Sequence, residues 1–269
     1  MDHDHGVAQA DGDGVAHGNK GSKGDTGSTV AGDATPLVQT AREAVADRGW
    51  HLMPPDVASP CVNADPAVWE RFAAHWEDLV VDPYAAQEGT RRLRRYGRFL
   101  LTRTGEVAPL DHEVFVQPGE SNPLYVGVER RFEPLTEAFR SEPVLYALIR
   151  LLGDVAGGLE DTAEWIVRVH PFRVIAQPDT LGRPTPEGRH KDGVTLVSSL
   201  LLGRENVTGG RSTLYDSDGR EIAAHTLSEP GTLLLSDDRA TWHAVSPVQP
   251  QDASRPGRRD VLVTTLTAR

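Results

Sequence analysis

Cysteine is nearly missing from this chain. Cys61 is the one example in 269 residues, which excludes an intramolecular disulfide and any multi-cysteine zinc site. Such usage suits a reducing compartment. The N-terminus has no apolar h-region, so no secretory signal is expected and the expected location is the cytoplasm. Uninterrupted apolar stretches are also missing, and none reaches the ~20 residues of a membrane-spanning helix. Positive charge is in deficit: 28 Lys and Arg stand against 39 Asp and Glu, for a net charge of −11. That sign disfavours general nucleic-acid binding. The chain contains no Gly-x-Ser-x-Gly elbow, phosphate-binding P-loop or dinucleotide fingerprint. Residues 1–35 lack any aromatic residue and almost any large aliphatic one. They cannot bury enough apolar surface to offset the entropy of ordering, and a disordered tail is expected there. His3, His5 and His17 fall in this tail and read as solvated low-complexity sequence. Residues 36–269 are long enough for a single well-buried domain.

What remains divides into a helix-rich first half and a strand-rich second half. Thr35-Pro36 and Asp65-Pro66 each offer an N-cap followed by a proline at the first helical position. Val68, Trp69, Phe72, Trp76 and Leu79 recur at helical spacing, and 133–152 reads as one long helix. Trp50 to Met53 reads as a short strand. From Trp165 onward, strands are expected at 165–175, 195–202, 211–215, 221–227, 232–235, 242–245 and 260–266, separated by Gly, Pro and Asp turns. Many short strands behind a helical layer predict an α+β fold whose core is a sandwich or jelly roll.

The chemistry centres on Pro186-Glu187-Gly188-Arg189-His190-Lys191-Asp192-Gly193. In an extended segment alternate side chains share a face, so His190 and Asp192 converge. His243 lies 51 residues further on, in a strand-like stretch. Two imidazoles and a carboxylate on one side of a metal form the facial triad of non-haem Fe(II) oxygenases, which leaves positions open for cosubstrate and dioxygen. Chance alone puts roughly one His-x-Asp pair in a chain of this composition, so context decides. Here the pair precedes a strand, the third ligand sits on a later strand, and Arg258 and Arg259 open the last strand. A guanidinium fork there matches the planar far carboxylate of 2-oxoglutarate. His75-Trp76-Glu77 is a weaker His-x-acid pair, because residues i and i+2 of a helix do not face each other. Asp237-Asp238 reads as a turn or as a carboxylate orienting a metal ligand. Asp216-Ser217-Asp218-Gly219 reads as a hairpin turn.

The stretches PEGRHKDG, LLGRENVTGGRSTLYDSDGREI, LSEPGTLLLSDDRATWHAVSPV and GRRDVLVTTL, with GTRRLRRYGRF and VRVHPFRVIA upstream, together resemble the bacterial 2OG-Fe dioxygenase family that includes the L-isoleucine 4-hydroxylases. The resemblance covers about residues 36 to 267. It implies a double-stranded β-helix (jelly-roll) core with flanking helices. It also implies Fe(II), 2-oxoglutarate and O2 as cofactor and cosubstrates, and a free amino acid or similar small molecule as substrate. Carried over by residue, His190, Asp192 and His243 become the iron ligands and the catalytic set. Arg259, or Arg258 one register position away, becomes the cosubstrate anchor. A free amino acid needs a donor for its carboxylate and an acceptor for its ammonium. Arg173 and the arginines near 91–98 are candidates for the first, and Glu187 for the second. Phe172 and Trp242 are candidates for an apolar lining. The retained Asp192 favours hydroxylation over halogenation. The same ligands also serve desaturation, epimerisation and ring formation, and a cupin-like jelly roll binds metal or ligand without oxidation.

Overall fold

Proline sets the rhythm of the helices. The computed structural model describes residues 35–115 and 129–269, and the expected tail, with His3, His5 and His17, lies outside the described residues. Among the described residues six α-helices appear: α1 (Thr35–Arg48), α2 (Pro55–Cys61), α3 (Pro66–Ala74), α4 (Pro83–Gln87), α5 (Glu137–Arg140) and α6 (Pro143–Ala156). Four of them open on proline, whose missing N–H costs nothing in a first turn. Asp65 caps α3 by accepting from the Val68 N–H, and Asp82 caps α4 by accepting from Tyr84 and Ala85. The single helix expected over 133–152 is two. Thr136 caps α5, and Pro143 then restarts the chain as α6, because its nitrogen cannot donate to a preceding turn. Leu145, Leu148, Ile149 and Leu152 of α6 are buried at the i, i+3, i+4, i+7 spacing of one helical face. Among the described residues no helix is long and apolar enough to cross a membrane.

The described residues also form fourteen strands: β1 (Trp50–Met53), β2 (Val80–Val81), β3 (Arg92–Arg94), β4 (Gly97–Thr102), β5 (Val107–Pro109), β6 (Glu164–Ala176), β7 (Leu196–Glu205), β8 (Val207–Gly209), β9 (Arg211–Tyr215), β10 (Glu221–Thr226), β11 (Leu233–Asp237), β12 (Trp242–Val245), β13 (Val248–Pro250) and β14 (Gly257–Ala268). The strand expected over 260–266 is longer at both ends, because β14 is flanked along its length by β6 and β7. The major sheet runs β1-β11-β7-β14-β6-β3-β2, with β4 also on β6 and β5 on β4. A smaller sheet runs β10-β9-β12, and β13 pairs with β8. All these pairings are antiparallel. Helices, major sheet and facing minor sheet make an α+β fold with a double-stranded β-helix core.

The major sheet has two unlike faces. Val167, Val169, Leu196, Leu200, Leu262 and Leu266 belong to one buried cluster with the apolar face of α6. Each such side chain contributes about 1.5–3 kcal/mol by leaving water. The alternate residues, among them Arg168, His170, Phe172 and Val174 of β6 and Arg259, Val261, Val263 and Thr265 of β14, face a cavity. That inner face carries the candidate chemistry.

Candidate active site

His190 and His243 stand opposite each other across a two-residue bridge. Each backbone N–H donates to the other's carbonyl at 2.9 Å, and the imidazole centroids are 4.2 Å apart. Gly188, at φ +78°, turns the chain so that its carbonyl lies 3.0 Å from His190 Nδ1. A carbonyl only accepts, so Nδ1 carries the proton and Nε2 presents its lone pair. That Nε2 lies 3.8 Å from Asp192 Oδ1, and His243 Nε2 lies 3.7 Å from Asp192 Oδ2. One ligand atom from each of the three residues falls within 4.8 Å of the other two. These separations are too long for hydrogen bonds and suit donors placed around a common centre. The set has the composition of the facial triad that ferrous iron takes, so the residues fit that metal.

Burial adds an electrostatic argument. On the protein's own groups, desolvation pushes the Asp192 carboxyl up, with His190 opposing it. Desolvation and the neighbouring His190 push His243 down to about 3. The His243 imidazole is thus available as a neutral ligand, and the buried Asp192 carboxylate gains from a cation.

Asp238 braces the centre from behind. It is 1 % exposed and accepts from the backbone N–H groups of Asp192, Gly193 and Val194 at 3.0, 2.7 and 3.0 Å. Its Oδ1 lies 3.7 Å from His243 Nδ1, a buried atom with no hydrogen-bond partner among the described residues. One carboxylate therefore holds the loop carrying Asp192 and faces the rear nitrogen of His243. Asp237 caps the neighbouring turn instead, accepting from the Arg239 N–H.

The two arginines of β14 diverge, as adjacent strand residues must. Arg259 is 4 % exposed and lines the cavity. Its Nε has no partner among the described residues, and desolvation, with Arg204 beside it, pulls its pKa down to about 10. Gly210, at φ +71°, leaves the space this side chain needs, since a Cβ there would sit 3.1 Å from Arg259 Cδ. Arg258 lies on the other face, paired with Glu77 at 3.2 Å and Glu205 at 3.0 Å. Arg173 is also outside the cavity. It forks onto Asp260 with two bonds of 2.8 Å and donates to Glu77 at 2.9 Å. Glu187 lines the cavity, with Oε1 3.4 Å from His190 Nε2. His75 pairs with Glu142 at 2.9 Å while Glu77 faces Arg173, so His75 and Glu77 do not converge.

The cavity measures about 320 Å³ and is lined by all three triad residues, Glu187 and Arg259, within the range of small-molecule sites. Sequence reasoning missed most of its cationic wall. Arg94 falls among the arginines near 91–98, but Arg130, Arg168 and His170 were not singled out. Parity was the available signal: Arg168, His170 and Phe172 share a face of β6, and Arg173 is on the other. Trp242 does not line the cavity, and Phe172 does.

Residues 73–265 match the 2OG-Fe dioxygenase family. The 3(1)-hydroxy-L-isoleucine 4-dioxygenase of Pantoea ananatis (strain AJ13355) is 25% identical over 204 residues, 73% of this chain and 80% of that one. A crystal structure of a bsmA homolog from Methylobium petroleophilum PM1 superposes with a TM-score of 0.79 at 32% identity, covering 86% of this chain and 93% of that one. IDO from Bacillus thuringiensis shares the fold, with a TM-score of 0.70 at 17% identity over 86% of this chain and 96% of its own. The chain belongs to the 2OG-Fe dioxygenase family: it is a 2-oxoglutarate-dependent dioxygenase whose chemistry uses Fe(II), 2-oxoglutarate and O2.

Proposed function

We propose that this enzyme hydroxylates an unactivated C–H bond of a free L-amino acid or amino-acid-like small molecule, releasing succinate and CO2, and that residues 36–269 act as a single catalytic domain. The observation that carries the reading is the convergence of His190, Asp192 and His243 in a cavity of about 320 Å³ that also holds the buried Arg259. The likeness to a 3(1)-hydroxy-L-isoleucine 4-dioxygenase supports the substrate class.

In this reading His190, Asp192 and His243 hold the iron, which when bound activates O2 at the expense of 2-oxoglutarate. The protein's part is positional. Gly188 and Asp238 fix the orientation of the ligands. Arg259 grips the far carboxylate of 2-oxoglutarate in a water-poor setting, where a charge-assisted fork is strong. Val194, Val197, Val261 and Val263 give the cavity apolar lining and keep water from the reacting carbon. Glu187, beside His190, accepts the substrate ammonium. Overall, one oxygen atom of O2 enters the substrate as hydroxyl and the other enters succinate.

The test is a screen of the twenty amino acids and simple derivatives for substrate-dependent succinate release, with products weighed by mass spectrometry. The reading expects a gain of 16 mass units on at least one free amino acid. A product lighter by 2 makes the enzyme a desaturase. Failure to form succinate with any of them, despite a visible band from anaerobic Fe(II) and 2-oxoglutarate, overturns the amino-acid assignment.

A further inference from the structure

The cavity has a second cationic wall, separate from Arg259. In the major sheet Arg259 lies beside Val174, whereas Arg94 lies beside Phe172. Two strand spacings and two residues along the strand put their Cα atoms roughly 12 Å apart. A five-carbon diacid with one end at the triad and the other on Arg259 leaves Arg94 for a different ligand.

Three features mark Arg94 as built for an anion. First, it is 4 % exposed, and burying a guanidinium is costly without a negative partner. The carboxylate beside it is that of Asp82, which is committed to Arg92: Arg92 Nε and Nη2 reach Asp82 Oδ2 at 2.9 and 2.8 Å, while Arg94 Nη1 stays at 3.9 Å. Second, its plane is fixed. The guanidinium lies 3.5 Å from the Phe132 ring centroid and 4.5 Å from that of Phe172. Stacked faces leave only in-plane N–H groups for a ligand, which matches a planar carboxylate. Third, its edge is incompletely used. Nη2 donates to His170 Nδ1 at 2.5 Å, and Nε has no hydrogen-bond partner among the described residues.

The bond from Arg94 has a further consequence. His170 Nδ1 accepts, so its proton sits on Nε2 and the ring adds a neutral donor to the same wall. Burial and the surrounding arginines hold His170 well below its usual range, so it stays neutral. Arg130, 3 % exposed, lines the same cavity. Both Arg130 and Arg94 act on Asp192, favouring its ionised form, so the wall lies within electrostatic reach of the metal ligands.

Resting on the oxygenase reading above, we propose that Arg94, held by His170 and the Phe132 and Phe172 rings, anchors the carboxylate of the organic substrate. The substrate is therefore a carboxylic acid, and its acid group is recognised apart from 2-oxoglutarate.

The experiment uses isovalerate and its uncharged isostere isovaleramide as probes. Saturation-transfer NMR is recorded on the full chain loaded with Zn(II) and N-oxalylglycine, which occupy the metal and cosubstrate positions. Isovalerate is expected to bind at least about ten-fold better than isovaleramide, as charge-assisted hydrogen bonds imply. Arg94→Met should abolish the preference, and Arg94→Lys should restore it only in part. The anaerobic Fe(II)–2-oxoglutarate band serves as a control for folding and cosubstrate binding, and should survive both substitutions. Equal binding of acid and amide overturns the assignment, as does no binding of either, or full isovalerate binding in Arg94→Met with the band intact. Loss of the band in the unsubstituted protein would instead contradict the oxygenase reading itself.

Discussion

The two faces of the major sheet are made from the same strands yet obey opposite rules. On the helix side, Val167, Val169, Leu262 and Leu266 pack into a continuous apolar layer. On the cavity side, the intervening positions of the same strands carry Arg168, His170, Phe172, Arg259 and Thr265. Folding energy comes mostly from the first face and chemistry from the second. Charged groups buried on the inner face cost stability and are held by specific partners, such as Asp82 for Arg92 and Asp238 for the Asp192 loop. Substitutions on the two faces should therefore leave different signatures.

The largest effect is expected at the triad. Asp192→Ala should reduce substrate-dependent succinate release to background while the metal-free protein melts within a few degrees of wild type. A protein that keeps measurable turnover would break the assignment of the inner face. Next is Arg259→Met, which removes one partner of a buried charged contact. A cost of about 2–5 kcal/mol should appear as a KM for 2-oxoglutarate raised by roughly 30-fold or more, with Arg258→Met far milder. Equal effects at the two positions would mean that the register does not matter.

The outer face should show the reverse. Leu262→Ala, in the helix-packed layer, is expected to cost about 2–5 kcal/mol of stability, read as a lower urea midpoint. The KM for 2-oxoglutarate of the folded fraction should be unchanged. Asp238→Asn sharpens the comparison, because Asp238 supports the chemistry without facing the cavity. Losing this brace should weaken Fe(II) or Mn(II) binding by about 10- to 100-fold, measured by calorimetry, with little change in the KM for 2-oxoglutarate.

The smallest expected effect is in pH. His170 and His243 are held below their usual pKa by burial. As pH falls below about 6.5, the unfolded chain takes up protons that the native metal-free protein does not, so stability falls. The melting temperature of the metal-free protein should drop between pH 7.5 and 5, and replacing His170 with Gln should reduce that slope.

Much of this was legible in the sequence, and the gaps have physical causes. The spacing of His190, Asp192 and His243 could be read because an extended chain and a returning strand bring such residues together. The order of strands from Trp165 onward was legible for the same reason: alternation and turn residues are local signals. Four features were not. Which of Arg258 and Arg259 turns inward depends on register, which the neighbouring strands β6 and β7 set. Arg173 reads as a substrate contact because it lies in the strand before the His190 motif, but its parity puts it on the face opposite Phe172, where Asp260 and Glu77 neutralise it. The break between α5 and α6 follows from Pro143, which the apolar residues on either side of it, from Leu135 and Phe139 to Leu145 and Leu152, disguised. The cavity wall of Arg94, Arg130 and His170 comes from three separate segments, and no spacing rule links them.

The central claim is that His190, Asp192 and His243 share one metal ion on the inner face. An anaerobic crystal structure of the full chain with Mn(II) and 2-oxoglutarate tests it most directly. The account predicts one ion about 2.0–2.3 Å from both histidine Nε2 atoms and one Asp192 oxygen, with the far carboxylate of 2-oxoglutarate on Arg259. An ion bound elsewhere, or at this position with any of the three side chains turned away, would contradict it.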